Sequence, residues 1–210
     1  MKERGMIFNG EMVRALLDGR KTQTRRIVKG TDGAVKFCKE WNINGEEVFV
    51  VLGEKDHTGM NPVLGAISCP FGAVGDRIWV REAFRVHSRA TDVATLVYKA
   101  SERNSWTEQT RRVPVAVCNK PATPEKWTPS LHMPRWASRI LLEITGVRVE
   151  RLRSMSQDDA RAEGVIAASG PMEAGLAFRE LWDSIYGEES WKANPWVWVI
   201  EFKRVEGGAA

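Results

Sequence analysis

Leu16-Leu17-Asp18-Gly19-Arg20-Lys21-Thr22-Gln23-Thr24-Arg25-Arg26 is the stretch on which the reading of this 210-residue chain turns. Just upstream, Met6-Ile7-Phe8 reads as a short apolar strand and Asn9 as a helix N-cap. Residues 11–18 place Met12, Val13, Leu16 and Leu17 on one helical face, and Gly19 stops the helix. Residues 20–28 are polar, threonine-rich and extended in character. A lysine, two threonines and three arginines therefore follow directly on a helix stop.

In a straight strand Thr22 and Thr24 share one face while Lys21 points to the other. Bringing Lys21 beside Thr24 requires a turn or bulge, which the position after Gly19 permits. Arg20, Arg25 and Arg26 disfavour the ammonium form of Lys21 and lower its pKa, the more so if it is buried. A lysine tuned in this way serves as a base, and a neighbouring threonine hydroxyl becomes a nucleophile. The same residues also make a surface β-turn with solvated charges, and residue types alone leave both possibilities open.

Working outward, a hairpin is expected from residues 35–41 and 47–52 around Asn44-Gly45, and 53–70 reads as a glycine- and proline-rich loop. Gly75-Asp76 marks a turn before a strand at 77–82, and 93–99 is a further strand. Residues 101–134 are polar and then proline-rich, an excursion from the main fold. A long strand is expected at 138–149, a short capped helix at 157–163, a helix at about 172–186 and a closing central strand at 196–205. Several strands with three helices between them predict a small mixed barrel of the α+β kind.

Composition narrows the function. Hydrophobic residues make up 43% and charged residues 28%, which suits a globular chain and excludes a disordered tail, a collagen-like fibre or a disulfide miniprotein. No apolar run reaches the roughly 18 residues of a membrane span. The amino terminus lacks the apolar core of a signal peptide, so no membrane partner and a cytoplasmic location are expected. Three cysteines (Cys38, Cys69, Cys118) and three histidines (His57, His87, His132) fall at no zinc-site spacing; no metal and no cofactor are expected. The net charge of +4 is compatible with a nucleic-acid partner without requiring one. Nine tryptophans serve core packing or base stacking, and composition does not separate these uses.

Gly19-Arg20-Lys21-Thr22-Gln23-Thr24-Arg25 resembles the signature of the ASCH domain, a branch of the PUA-like superfamily. Three further segments agree in order: Gly75-Asp76 with the strand to Val80, Asp159-Ala160-Arg161-Ala162-Glu163-Gly164, and Trp198-Val199-Ile200-Glu201-Phe202-Lys203. Cys69-Pro70-Phe71-Gly72 and residues 132–139 resemble the longer ASCH proteins of phages and prophages. The resemblance implies a PUA-like small mixed β-barrel with flanking helices, one elaborated domain over 1–206 with inserted loops at about 30–70 and 101–134, and a flexible tail at 207–210.

It also implies an activity. The best-understood members are amidohydrolases that deacylate N4-acylated cytidines, N4-acetylcytidine above all. Their catalytic lysine, threonine and glutamate fall on Lys21, Thr24 and Glu163. Thr24 is then the nucleophile, Lys21 takes its proton, and Glu163 orients Lys21 or protonates the leaving amine. Arg25 or Arg26 stabilises charge, and Trp136 is expected to contact the substrate. Lys21→Ala and Thr24→Ala are expected to abolish turnover with little change in the thermal melt. The alternative is a non-catalytic PUA-like module that binds RNA or a modified base, with tryptophans stacking and arginines on phosphates; RNA is accordingly a further partner beside the nucleoside.

Overall fold

The computed structural model describes residues 1–166 and 173–205. In chain order they form β1 (Glu3–Ile7), α1 (Gly10–Leu17), β2 (Gln23–Ile27), β3 (Lys36–Trp41), β4 (Glu47–Leu52), β5 (Val63–Ile67), β6 (Arg77–Arg81), β7 (Phe84–Arg89) and β8 (Val93–Tyr98). There follow α2 (Trp106–Gln109), β9 (Thr110–Pro114), β10 (Leu141–Arg151), α3 (Gln157–Ala162), α4 (Glu173–Tyr186), α5 (Glu188–Ala193) and β11 (Trp196–Arg204). The class is α+β. Among the described residues the strands form open sheets, and none closes into a barrel.

The chain divides into two compact units. Among the described residues, one is built from Met1–Gly19, Arg77–Glu143 and Arg204 with Val205; the other from Arg20–Asp76 and the described part of Ile144–Lys203. In the first unit β1 runs parallel to β6, and β6 pairs antiparallel with the opening residues of β10. Gly5 is required there because a Cβ would sit 2.5 Å from the Trp79 ring. A meander of β7, β8 and β9 forms a second sheet. Its core gathers Phe84, Leu96, Tyr98, Met133 and Ala137, with Trp136 packed against them. Helix α1 begins as expected, with the Asn9 side chain accepting from the Met12 N–H at 2.8 Å.

In the second unit β11 lies between β10 and β2, and β3, β4 and β5 form an antiparallel sheet. Val197 and Val199 on one face of β11 pack with Leu152, Ala160, Phe178 and Trp182. Trp198 on its other face meets the edge of Phe49 at 5.0 Å. The central place of the closing strand follows from its run of apolar and β-branched residues, buried from Val197 to Ile200.

Three strands and two short helices, one of them Trp106–Gln109 within the expected excursion, are absent from the sequence-based expectation. Residues 53–70 were expected to be loop, yet Val63–Ile67 pairs with β4, with an irregularity at Val51/Leu52. Polar Thr110–Pro114 is a strand because β8 offers it a free edge, and Phe84–Arg89 is another despite its arginines and histidine. A short helix, Glu188–Ala193, follows Gly187, whose φ of 82° ends α4. The C-terminal tail expected at 207–210, and the expected helix start at Met172, lie outside the described residues. No described helix is long and apolar enough to cross a membrane.

Candidate active site

Strand β2 is held on both sides of its leading end. The Thr22 N–H donates to the Ala162 carbonyl at 2.8 Å, and the Thr22 carbonyl accepts from the Phe202 N–H at 2.9 Å. From there the register with β11 is regular, Gln23 opposite Glu201, Thr24 opposite Ile200 and Arg25 opposite Val199. Extended backbone from residue 22 onward fixes which side chains share a face.

Lys21, Gln23 and Arg25 all face α3 and the residue that caps it. Lys21 Nζ donates to Glu163 Oε2 and to the Glu163 carbonyl, each at 2.8 Å. Arg25 Nη1 donates to the other carboxylate oxygen of Glu163 at 3.0 Å. Lys21, Arg25 and Glu163 are all buried, with 2–3% of their surface exposed. Arg25 Nη2 also donates to Glu150 at 2.7 Å, and the guanidinium lies over the Phe178 ring. Gln23 Nε2 donates to the Asp159 carbonyl and carboxylate at 2.7 and 3.1 Å.

Helix α3 delivers Glu163 by local means. Ser156 caps its start, and the reciprocal bonds between Ser156 and Asp159 complete a capping box. The helix ends at Ala162, Glu163 is the C-cap, and Gly164 turns away at φ +90°. The sequence suggests an exposed glutamate facing the wrong end of a helix dipole. Instead the carboxylate is buried, and two cations offset both dipole and desolvation.

Burial pushes the Lys21 ammonium below its ordinary value; Glu163 opposes that shift, and Arg26 and Arg25 add to it. The expected direction is therefore met, with desolvation rather than the neighbouring arginines as its main cause. For Asp159, burial alone would raise the carboxyl, but bonds from Ser156 and Gln23 together with the Arg25 charge outweigh it and hold the group low. Arg148 extends the network, donating to Asp159 at 2.8 Å and Glu150 at 3.2 Å and also to Glu201.

Thr24 falls on the opposite face of β2. Its hydroxyl accepts from Arg26 Nη1 at 2.9 Å, and the residue is fully buried. No bond joins it to Lys21 among the contacts of the described residues. The strand stays regular where a bulge was needed to bring the two together, so Lys21 and Glu163 meet and Thr24 stands apart from them. Trp136 belongs to the first unit, edge-on to Phe84 at 6.3 Å, with its indole N–H buried and unbonded.

Four participants escape the sequence-based list: Gln23, Arg148, Glu150 and Asp159. Arg148 and Glu150 alternate on one face of β10, a period-two signal that the pattern of charges in residues 146–151 contains. Asp159 registers in sequence as the first residue of the 159–164 segment and, in the first turn of a helix, as a capping residue, with no sign of its bonds to Gln23 and Arg148. Beside the network lies an open pocket of about 350 Å³ whose polar lining includes Thr22, Gln23, Ser156, Asp158, Asp159 and Glu201. No lining residue is basic. Gly146 makes room for the Glu201 carboxylate, since a Cβ there would lie 2.7 Å from it.

No protein-family model, curated protein or solved structure shows a significant match to the chain.

Proposed function

We propose that this protein is an amidohydrolase that removes the acyl group from N4-acylated cytosine nucleosides, carried on a PUA-like scaffold of the ASCH type. The observation that supports this best is the buried Lys21–Glu163 pair, in which a lysine with a depressed pKa is bonded to a carboxylate beside an open pocket. Hydrolysis of an exocyclic N-acyl group breaks the acyl C–N bond and forms a C–O bond. It returns one proton to the departing N4 amine. In its neutral form, which burial favours, Lys21 takes the proton of the nucleophile; the ammonium so formed, bonded to Glu163 at 2.8 Å, passes that proton to the leaving nitrogen. Arg25 donates to the other Glu163 oxygen at 3.0 Å and keeps the carboxylate aimed while that proton moves.

Thr24 is the nucleophile if ligand binding swings Lys21 round the leading end of β2 toward the hydroxyl; the acyl-threonine ester formed as the C–N bond breaks is then hydrolysed by water, which frees the carboxylate and restores the hydroxyl. In the arrangement described, Arg26 donates to Thr24 Oγ and leaves the hydroxyl proton available to a base. A water on the Lys21–Glu163 face is the nucleophile otherwise. Pocket chemistry favours an uncharged nucleoside over a phosphorylated one. Asp158, Asp159 and Glu201 repel phosphate, while Gln23, Thr22 and Thr145 offer hydrogen bonds to sugar hydroxyls and base edges.

Ultraviolet-monitored hydrolysis of N4-acetylcytidine by purified protein tests the proposal. Conversion to cytidine that vanishes in Lys21→Ala and falls strongly in Glu163→Gln supports it. Thr24→Ala then distinguishes the nucleophiles, being inactive if Thr24 attacks and active if water does. Absence of conversion with folded protein, for acetyl and longer N4-acyl groups alike, rejects it. One observation favours the second reading, a non-catalytic RNA or modified-base module: Lys21 and Arg25 are both committed to Glu163, as in a structural ion network.

A further inference from the structure

A second pocket, of about 290 Å³, lies in the first unit and has the opposite chemistry. Its lining includes Lys120, Lys126, His132 and Trp127, with Thr123 and Thr128 between them, and no carboxylate. Arg85 lies over the Trp127 ring at 4.5 Å from its centroid. The surrounding segment carries the same sign of charge. Residues 84–132 hold eight lysines and arginines against four acidic residues, an excess of four that equals the net charge of the whole chain.

The walls of this pocket are tied to the sheet rather than draped over it. Thr128 and Phe84 exchange backbone bonds of 2.7 and 3.2 Å, and the Thr123 N–H donates to the Val86 carbonyl at 2.9 Å. On the same segment Arg89 donates to the carbonyls of Cys118 and Lys120, at 3.0 and 3.1 Å. The loop that carries Lys120, Lys126 and Trp127 thus runs along the free edge of β7. Both cations and the indole are presented by a fixed frame, which lowers the entropic cost of binding.

We infer that this pocket binds a nucleotide, its phosphate on Lys120, Lys126 and His132 and its base against Trp127. The volume is close to the roughly 300 Å³ at which single-ligand pockets begin, so it admits one ring with its phosphate and no duplex. An aromatic face beside paired cations is the arrangement that single-stranded nucleic acid and free nucleotides both recognise. The same charges that attract phosphate here are missing from the acidic pocket of the second unit. This inference does not depend on the proposed amidohydrolase activity, and its readout is binding alone.

Fluorescence anisotropy with a labelled oligouridylate octamer, and competition by uridine monophosphate, tests it on the full chain. Wild-type protein is expected to bind with an affinity that falls steeply with salt. Replacing Lys120 and Lys126 together by alanine should weaken binding at least tenfold and flatten the salt slope by about 1.4, roughly 0.7 for each lost phosphate contact. Trp127→Ala should weaken it as much, while Trp127→Phe retains most of the affinity; circular dichroism checks that each variant is folded. Competition by the mononucleotide identifies a free nucleotide as sufficient, and its failure identifies the polymer. The inference is overturned if neither probe binds at low salt, or if the double lysine variant binds with the wild-type affinity and salt slope.

Discussion

Glu163 and Glu82 are equally buried, each 2% exposed, and each is paired with a cation, yet they lie in opposite situations. Glu82 receives two bonds from Arg139, both 2.9 Å, and the same guanidinium stacks on Tyr98 and donates to Ser101. Both its oxygens are taken by a partner that cannot deprotonate, and that partner is itself locked. Glu163 divides its oxygens between Arg25 and Lys21. One of its partners is a group whose burial makes the proton easier to lose. Two carboxylates at equal burial therefore differ in whether a proton can move along the bond. A closed arginine fork fixes its carboxylate with a cation that keeps its proton, whereas a buried lysine is a cation that loses its proton more easily.

The sharpest way to break this comparison is at Lys21. Lys21→Arg keeps a cation against Glu163 but cannot act as a base, so turnover should fall by about 10²–10⁴-fold in the N4-acetylcytidine assay while most stability is retained. Lys21→Ala should lose the same activity and also stability, by about 3 kcal/mol in denaturant midpoints, because a buried partner is left uncompensated. That second outcome revises the expectation of an unchanged melt, which holds only for an exposed lysine. Equal rates for Lys21→Arg and wild type would dissolve the contrast.

Glu82→Gln is the counterpart. It keeps a neutral acceptor on Arg139 in place of a carboxylate that burial disfavours, and the turnover of folded protein should be unchanged. Burial holds the Glu82 carboxyl above its ordinary 4.5, against the opposing pull of Arg139. The folded state therefore holds this proton more tightly than the unfolded chain. Its contribution to stability is complete below pH 4.5 and is lost as pH rises through the raised value. Denaturant midpoints of wild type should fall relative to those of Glu82→Gln as pH rises through that window.

Asp159 carries the opposite sign. Its carboxyl is held below the ordinary 3.8, so its contribution is present above that pH and lost as pH falls through the depressed value. Asp159→Asn should flatten the acid limb of the stability profile, a smaller effect than at Glu82 because the side chain is 22% exposed. The smallest effect should come from Ser156→Ala. It removes the cap that aims α3, costs about 1 kcal/mol, and should raise KM or lower kcat modestly through Glu163 without abolishing either.

Much of the scaffold was legible in the chain. The helix that ends at Gly19, the hairpin around Gly45, the long strand, the capped α3 and the buried closing strand each carry a local signal of periodicity, capping or β-branching. The strands at Val63–Ile67, Phe84–Arg89 and Thr110–Pro114 were not legible. Val63–Ile67 and Thr110–Pro114 do not alternate cleanly, and pairing with a neighbouring edge decided their state, whereas Phe84–Val86 carries only a brief alternation, too short to stand out. At the site, Lys21, Arg25 and Glu163 were identifiable as residues. The role of Arg25 as a second partner of Glu163 was not, and neither was the recruitment of Glu150, Asp159 and Arg148.

The sequence by itself determined which chemistry is present: a lysine and threonine beside a glycine stop, a glutamate at the end of a short helix, and a basic, tryptophan-bearing excursion. These are matters of residue type and short-range spacing, which a linear chain records directly. Tertiary structure alone decided how those groups are used. Regular pairing of β2 with β11 set Lys21 and Thr24 on opposite faces. Burial turned Lys21 and Glu163 into a coupled pair. Desolvation and strand register are properties of contacts between residues more than a hundred positions apart, and no local pattern encodes them.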